Sequence, residues 1–267
     1  MSAGTRDESL GAIYVATKRK FYVEAAAASA RSLKRHCRAV PTTLFTDQAV
    51  GTARHVFDAV VPIESVRGYR NERVRTDWGE GVFDKVRCLA SSPYTRTLFL
   101  DADTRVVSAD VADLFRLLDD CEIAMAECQL DASYSRLYLG RRLFNTGVIL
   151  YSRSAAIGDL FREWIRLSRE HLEAVVSGRM HEQEVMAGIT DERVQLNLLI
   201  NDQVSLVRLL SPEVNRLDLK VRTLEHAWNY RGGRLGRVQT GDLKIDHRRY
   251  LNYVARLRSY LRSALSR

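Results

Sequence analysis

Two aspartates one residue apart follow an apolar segment in the middle of the chain. The segment reads TLFLDADTRVV over 97–107, so Asp101 and Asp103 come directly after an apolar run. Side chains two residues apart in an extended segment point to the same side, and like charges that close need water or a cation between them. Two carboxylates can bind one hard divalent cation, with phosphate oxygens of a ligand completing its coordination. We therefore predict a metal site at Asp101 and Asp103.

Two other interpretations of the pair are open from the motif alone. The aspartates could cap a helix predicted over 109–120, although Asp110 is nearer to the start of that helix. An apolar strand followed by DxDxT is also typical of haloacid-dehalogenase-like phosphatases, in which the first aspartate is the phosphorylated nucleophile. In those enzymes the motif follows the first strand, whereas here about 100 residues of predicted strands and helices precede Asp101.

The elements that must position the pair alternate between strands and helices. Apolar strands are predicted over 12–17, 41–47, 59–63, 97–107, 122–128, 143–155 and 243–247, and helices over 21–37, 83–92, 109–120, 156–176 and 201–210. This alternation favours an α/β domain with a mostly parallel sheet flanked by helices. Ligands bind outside the carboxyl ends of the strands in such sheets, which is where the aspartate pair falls.

The composition limits the class of protein and its partners. Of 267 residues, 46% are hydrophobic and 28% charged, as in an ordinary soluble domain, and no apolar run is long enough to span a bilayer. The polar start MSAGTRDESLG lacks the layout of a signal peptide, so we predict a cytoplasmic protein. The net charge of +8 suits a phosphate-rich partner, but no nucleic-acid motif accompanies it, and we expect no nucleic-acid partner. The scattered cysteines are predicted to be reduced packing residues: Cys37, Cys88, Cys121 and Cys128.

Three further segments occur with the aspartate pair in a characteristic order. They are DKVRCLASS before it, and FNTGVILYS and NDQ after it. Together the four segments resemble the GT-A glycosyltransferases of the glycogenin and bacterial galactosyltransferase type (family 8-like), over most of residues 12–247. The resemblance implies a GT-A (Rossmann-like) domain over 1–247. It also implies a hexosyltransferase that moves a sugar from a nucleotide diphosphate sugar, a UDP-sugar, to an acceptor hydroxyl with retention.

The resemblance also implies the metal ligands and a catalytic acid. His247 in KIDHRRY matches the family's third metal ligand, with His226 as a rival, and an imidazole suits Mn²⁺ better than Mg²⁺. Asp202 in NDQ matches an acidic residue beside the anomeric carbon, where it would stabilise an oxocarbenium-like transition state or act as a transient nucleophile. The structural alternative for Asp202 is a helix cap.

One element departs from the family pattern. Relatives continue His-x-x-Gly-x-x-Lys, whereas this chain has Tyr250 for the glycine and Tyr253 for the lysine. Arg248 and Arg249 are the nearest candidates to supply the missing positive charge. This departure leaves open a catalytically silent sugar-nucleotide-binding protein.

The substrate-binding residues are likewise implied by the resemblance. Tyr22 would stack on the nucleobase, Lys85 would offset negative charge, and Asn145 with Gly147 would contact the sugar. A core position for Tyr22 and a solvated surface position for Lys85 are the structural alternatives. The implied set is Thr17, Tyr22, Lys85, Ala102, Asn145, Thr146, Gly147, Gln203, Trp228, Asn229 and Arg231.

The last segment, 248–267, has the pattern of a basic amphipathic helix. Its apolar positions fall on one stripe, with arginines 256, 258 and 262 off it: Tyr250, Tyr253, Val254, Leu257, Tyr260, Leu261 and Leu265. Such a helix would pack on the domain, or make a peripheral membrane or dimer contact.

Overall fold

A seven-stranded sheet forms the centre of the molecule. The computed structural model describes residues 9–72, 74, 77–128, 143–210, 217–232 and 242–247. The sheet has the strand order β3-β2-β1-β4-β7-β6-β8, and β5 pairs with β9 in a separate two-stranded sheet. The strands are β1 (Leu10–Ala16), β2 (Thr42–Thr46), β3 (Ala59–Pro62), β4 (Arg96–Leu100), β5 (Arg105–Val106), β6 (Ile123–Glu127), β7 (Phe144–Ser152), β8 (Val221–Leu224) and β9 (Ile245–Asp246).

Helices cover both faces of this sheet. They are α1 (Lys20–His36), α2 (Trp78–Leu89), α3 (Ala155–Ser177), α4 (Glu192–Leu199) and α5 (Asp202–Leu210), with 3₁₀ helices at Gly51–Val56, Ala109–Asp119, Met180–Glu182, Glu184–Met186 and His226–Trp228. Side chains of β4 alternate between the two faces. Leu98 and Leu100 pack with α1 and the 109–119 helix, whereas Phe99 packs with α2, α3 and α5. The predicted α/β class is confirmed.

The direction of β7 decides what surrounds the end of β4. Four neighbouring pairs in the sheet are parallel, but β7 runs antiparallel to both β4 and β6. Leu100 at the end of β4 therefore lies opposite Val148, at the middle of β7, and the first four residues of β7 extend beyond β4. The next backbone N–H, that of Asp101, donates to the Gly147 carbonyl at 2.8 Å. The amino end of β7 thus lies beside the aspartate pair.

Several predicted elements differ in extent or type. α2 begins at Trp78 and not near Phe83, because two glycines in its first turn obscure the helical pattern. The predicted 109–120 helix is a 3₁₀ helix over 109–119, capped by Ser108, whose hydroxyl accepts from the Asp110 N–H at 3.2 Å. The alternative that Asp101 and Asp103 cap this helix is therefore wrong. The polar helix α4 and the short strand β8 have no counterpart among the predictions, since neither carries a clear apolar period.

Two further predictions concern the cysteines and the end of the chain. All four cysteines are free and buried, as predicted. Within the described residues, no helix combines the length and apolarity needed to cross a bilayer. The amphipathic helix predicted over 248–267, with its membrane or dimer contact, lies outside the described residues, and the cytoplasmic location stays a prediction.

Candidate active site

Three potential metal ligands converge beyond the carboxyl end of β4. Asp101 follows the strand directly, and Asp103 lies in a turn closed by Thr104, whose hydroxyl and N–H both donate to the Asp101 carbonyl. The Nε2 atom of His247 lies 3.1 Å from Oδ1 of Asp103 and 3.6 Å from Oδ2 of Asp101. One ligand atom from each residue falls within 4.8 Å of the others. Two oxygens and one nitrogen at this spacing fit a single divalent cation.

The small second sheet brings His247 to the aspartates from far along the chain. β5 follows the aspartate turn and pairs antiparallel with β9, with Arg105 opposite Asp246. The backbone N–H of Val107 donates to the Lys244 carbonyl at 3.0 Å, which extends the pairing. Among the described residues, the predicted rival His226 is not part of a group that could hold a metal. The geometry therefore favours His247 as the third ligand.

The pKa values of the two aspartates are shifted in opposite directions. Burial raises the pKa of Asp101 above its ordinary value, although Lys85 and His247 oppose this effect. Burial also disfavours ionisation of Asp103, but the His247 hydrogen bond and the positive charges of His247 and Arg231 outweigh it, so the pKa of Asp103 is lowered. Asp103 is thus the more readily ionised ligand of the pair.

Lys85 is a buried cation between two carboxylates. Its Nζ lies 2.6 Å from Oδ2 of Asp202 and 3.5 Å from Oδ1 of Asp101, and it donates to the hydroxyl of Thr146 at 3.2 Å. Burial would lower the pKa of Lys85, but the two aspartates outweigh burial and raise it. The lysine therefore stays protonated, and the alternative of a solvated surface lysine is wrong.

Asp202 is the first residue of α5, and its side chain is buried. Its neighbour Asn201 serves as the cap, since Oδ1 of Asn201 accepts from the Gln203 N–H at 2.9 Å. The indole N–H of Trp164 donates to the Asp202 carbonyl at 3.0 Å and to the Ser205 hydroxyl at 3.1 Å. The carboxylate is thereby held toward Lys85 and is not used to cap its own helix.

The predicted sugar-contacting segment of β7 lies beneath His247. Nδ1 of His247 is 2.8 Å from Oδ1 of Asn229, and Nδ2 of Asn229 donates to Oδ1 of Asn145 at 2.8 Å. A Cβ atom added at Gly147 would lie 1.9 Å from Cε1 of His247. Gly147 and Asn229 therefore contact His247 and Asn145 holds Asn229, a role that their predicted substrate contacts did not include.

The remaining predicted substrate-binding residues differ in how deeply they are buried. Thr17 is buried at the end of β1, whereas Tyr22 is 37% exposed on the first turn of α1, so its core alternative is wrong. Gln203 is buried, and its Oε1 has no hydrogen-bond partner within the described part of the chain. Ala102 and Trp228 are half-buried and pack against the core, and Arg231 is half-buried close enough to Asp103 to lower its pKa.

Sequence reasoning missed a second buried charge cluster near the end of β1. Lys18 has a positive φ of 72°, and its backbone N–H donates to Oδ1 of Asp47 at 2.9 Å. Its Nζ lies 3.2 Å from Glu80 and 3.7 Å from Asp84, both buried on α2. Asp84 also accepts from the Ser65 hydroxyl at 2.5 Å, which ties the loop before α2 to the end of β1. The signal in the sequence that could have indicated this cluster is the spacing of Glu80 and Asp84, two carboxylates four residues apart and so on one side of a helix.

Comparison with known proteins identifies the fold. No protein-family model and no curated protein sequence matches the chain. The solved galactosyltransferase LgtC, in complex with donor and acceptor sugar analogs, is 12% identical, and the match covers 89% of this chain and 86% of that one with a TM-score of 0.53. An active-site variant of LgtC is 13% identical with a TM-score of 0.51 and the same coverage. The apo form of mouse xyloside xylosyltransferase 1 is 15% identical, with 89% and 97% covered and a TM-score of 0.53. The fold is that of GT-A glycosyltransferases, as predicted.

Proposed function

We propose that this protein is a metal-dependent glycosyltransferase that moves a sugar from a UDP-sugar to an acceptor hydroxyl, with retention of configuration. The observation that carries the proposal is the convergence of Asp101, Asp103 and His247 beside the Lys85–Asp202 pair. This cluster lies at the carboxyl end of β4, the edge at which α/β sheets bind ligands. The GT-A fold supports the same reaction class by analogy.

The ligand set fits Mn²⁺, with Mg²⁺ as the second choice. Two carboxylates and one imidazole supply both oxygen and nitrogen, a mixture that Mn²⁺ accepts more readily than Mg²⁺. When bound, such a cation acts as a Lewis acid that offsets negative charge on the departing diphosphate. Asp101, Asp103 and His247 would hold it, and the lowered pKa of Asp103 keeps that ligand ionised at neutral pH.

The Lys85–Asp202 pair supplies the charges around the reacting sugar. Lys85 keeps the Asp202 carboxylate oriented by an ion pair of 2.6 Å inside a buried environment. An ionised carboxylate there can stabilise positive charge that develops on the anomeric carbon, or attack that carbon transiently. The ammonium group also lies on the side where the diphosphate carries its negative charge, since it is 3.5 Å from Asp101.

Two buried polar atoms support a sugar-binding role for neighbouring residues. Nδ2 of Asn145 and Oε1 of Gln203 have no hydrogen-bond partner among the described residues. Buried polar groups are nearly always satisfied, and a hydroxylated ligand offers both a donor and an acceptor. We assign these two atoms to the sugar, together with the Thr146 side chain. Tyr22, exposed at the sheet edge, would stack on the uracil ring, and Trp228 with Arg231 would line the acceptor side.

A thermal-shift screen with Mn²⁺ tests the donor. UDP, UDP-glucose and UDP-galactose should each raise Tm, because a ligand at 100 times its Kd stabilises a protein by about 2.7 kcal/mol. GDP-mannose serves as the comparison with a different nucleobase. Metal-dependent hydrolysis of UDP-sugars should accompany the shift and disappear in Asp103→Ala. If no nucleotide diphosphate raises Tm in the presence of Mn²⁺, the proposal is wrong.

The same assays separate the other two functions. A phosphatase would trap a phosphate analogue covalently at Asp101 without binding any nucleotide, and a silent binder would show the Tm shift without hydrolysis. The fold favours neither, because the solved structures that share it are sugar transferases.

A further inference from the structure

We infer that Asn145, Gly147 and Asn229, here called the histidine seat, fix the orientation of the His247 ring and hold a proton on its Nδ1 atom. The inference rests on the proposed function for the use of His247 as a metal ligand, but the contacts of the seat stand independently of it. All three polar members of the arrangement are buried, with exposed fractions of 1% for Asn145 and Asn229 and 3% for His247. Bulk water therefore does not compete for their hydrogen bonds.

The direction of every hydrogen bond in the seat follows from one backbone group. The N–H of Gly147 can only donate, and it lies 3.0 Å from the side chain of Asn145, so the atom facing it is the amide oxygen. That oxygen also accepts from Asn229 at 2.8 Å, which requires the amide nitrogen of Asn229 on that side. The opposite end of Asn229 is then its oxygen. The orientations of both amides are thereby fixed by chemistry.

The same logic places a proton on one ring nitrogen of the imidazole. The amide oxygen of Asn229 only accepts, and it lies 2.8 Å from Nδ1 of His247, so Nδ1 carries a proton. The other nitrogen, Nε2, lies 3.1 Å from Asp103 and 3.6 Å from Asp101. The seat thus directs Nε2 of His247 toward the two carboxylates, as a metal ligand requires.

Steric contact fixes the position of the ring. A Cβ atom at Gly147 would lie 1.9 Å from Cε1 and 2.4 Å from Nδ1 of His247, and 2.9 Å from Oδ2 of Asp101. Carbon atoms do not approach that closely, so only glycine allows the imidazole to lie against β7. The backbone N–H of His247 also donates to the Tyr230 carbonyl at 2.8 Å, which holds the histidine beside Asn229.

The seat gives the NTG segment of β7 and Asn229 a positioning role in addition to their proposed substrate contacts. Second-layer partners that orient a histidine ligand typically change metal affinity by 10–100-fold when they are removed. Asn229 acts directly on the ring, whereas Asn145 acts through Asn229. Loss of either residue should therefore break the same chain of hydrogen bonds.

Two measurements on the full-length protein test the seat. Long-range ¹H–¹⁵N NMR of the metal-free protein at pH 8, with His247→Gln to assign one of the six histidines, should find the proton of His247 on Nδ1. Mn²⁺ titration by calorimetry should then give a Kd that rises 10–100-fold in Asn229→Ala. The matched control is Asn71→Ala, a distant asparagine that also bridges two backbone groups, to Val74 and Val176, and it should bind Mn²⁺ as the wild type does.

A double-mutant cycle distinguishes a connected chain from separate structural effects. Asn145→Ala should also weaken Mn²⁺ binding, and the double variant with Asn229→Ala should bind no more weakly than Asn229→Ala alone. A wild-type His247 without a proton on Nδ1, or unchanged Mn²⁺ affinity in Asn229→Ala, would overturn the seat. If the wild type itself does not bind Mn²⁺, the proposed function fails, while the NMR result still decides whether the seat holds a proton on Nδ1.

Discussion

Two buried histidines of this protein lie in opposite environments. His247 is 3% exposed, and both ring nitrogens face polar atoms at about hydrogen-bond distance. His171, on the inward face of α3, is 1% exposed, and neither ring nitrogen has a hydrogen-bond partner in the described part of the chain. Burial, with a smaller contribution from Arg208, lowers the pKa of His171 to about 4. Burial of a histidine therefore does not mark a site, whereas convergent partners do.

The difference between the two regions comes from what the neighbouring elements supply. Around His171, the buried face of α3 is largely apolar, and the lowered pKa makes the ring a neutral packing residue at neutral pH. Around His247, the end of β4, the start of β7 and the loop before β9 contribute carboxylates and amides. A ring whose two nitrogens both face polar partners results only in the second region.

The largest expected effect on activity comes from removing the imidazole of His247, with removal of the His171 imidazole as the comparison. His247→Ala should lower the rate of Mn²⁺-dependent UDP-sugar hydrolysis by about 10³-fold, because loss of a ligand removes several kcal/mol of charge stabilisation. His171→Leu should keep the rate within about threefold of wild type, because that ring touches no reacting group. Initial rates at saturating substrate measure both. Equal losses in the two variants would contradict the comparison.

The next largest effect is expected from adding a methyl group at Gly147, compared with the same change at Gly158. Gly147→Ala should weaken Mn²⁺ binding by about 100-fold, since its Cβ would displace the His247 ring and disturb Asp101. Gly158→Ala on α3 is the matched control, because the atom nearest to its added Cβ, apart from the backbone of α3, is Nη1 of Arg162 at 3.9 Å. That substitution should leave Mn²⁺ affinity unchanged and raise stability by about 0.5–1 kcal/mol. Calorimetry and urea unfolding measure the two quantities, and equal Mn²⁺ affinities of the two variants would contradict the close contact at Gly147.

His171 should make stability depend on pH. With a folded pKa of about 4 and an unfolded value near 6.5, the unfolded chain binds more protons between these pH values, so stability falls as pH decreases from about 7 toward 4. At pH 5 this group should cost about 2 kcal/mol relative to pH 8. His171→Leu should therefore lose less free energy of unfolding than wild type over that range, as followed by urea unfolding at each pH.

An exposed histidine provides the control for this pH effect. His181, in the short 3₁₀ helix after α3, is exposed, and His181→Gln should leave the pH profile of stability unchanged. If the free energy of unfolding of His171→Leu depends on pH as steeply as that of the wild type, the ring of His171 is not the group responsible for the pH dependence.

The smallest expected effect lies on the solvent side of α3. Glu170 accepts from Arg166 at 2.5 Å, with both side chains about half exposed. Exposed pairs four residues apart contribute about 0.3–0.5 kcal/mol, so Glu170→Gln should lower the free energy of unfolding by no more than that. A change above 1 kcal/mol, measured by urea unfolding, would show that the surface of α3 matters as much as its buried side.

Much of the fold was predictable because it depends on local periodicity. Alternating apolar strands and helices indicate the α/β class, and the LDAD segment at a strand end indicates a carboxylate site at the sheet edge. The polar helix α4 and the exposed strand β8 were not predicted, since their positions depend on packing against other elements. The antiparallel direction of β7 was also beyond reach, because an apolar strand has the same pattern in either direction.

The sequence by itself determined the types of group in the site: a carboxylate pair, a lysine on the preceding helix, an asparagine–glycine segment and a late histidine. Only the tertiary structure decided which of them meet. His247 is separated from Asp103 by more than 140 residues, and pairing of β5 with β9 brings them to 3.1 Å. The orientation of the His247 ring depends on Asn145, Gly147 and Asn229, and the antiparallel direction of β7 brings Asn145 and Gly147 to the end of β4. Side-chain chemistry is local to each residue, whereas the direction in which a ring nitrogen points is set by contacts between distant segments.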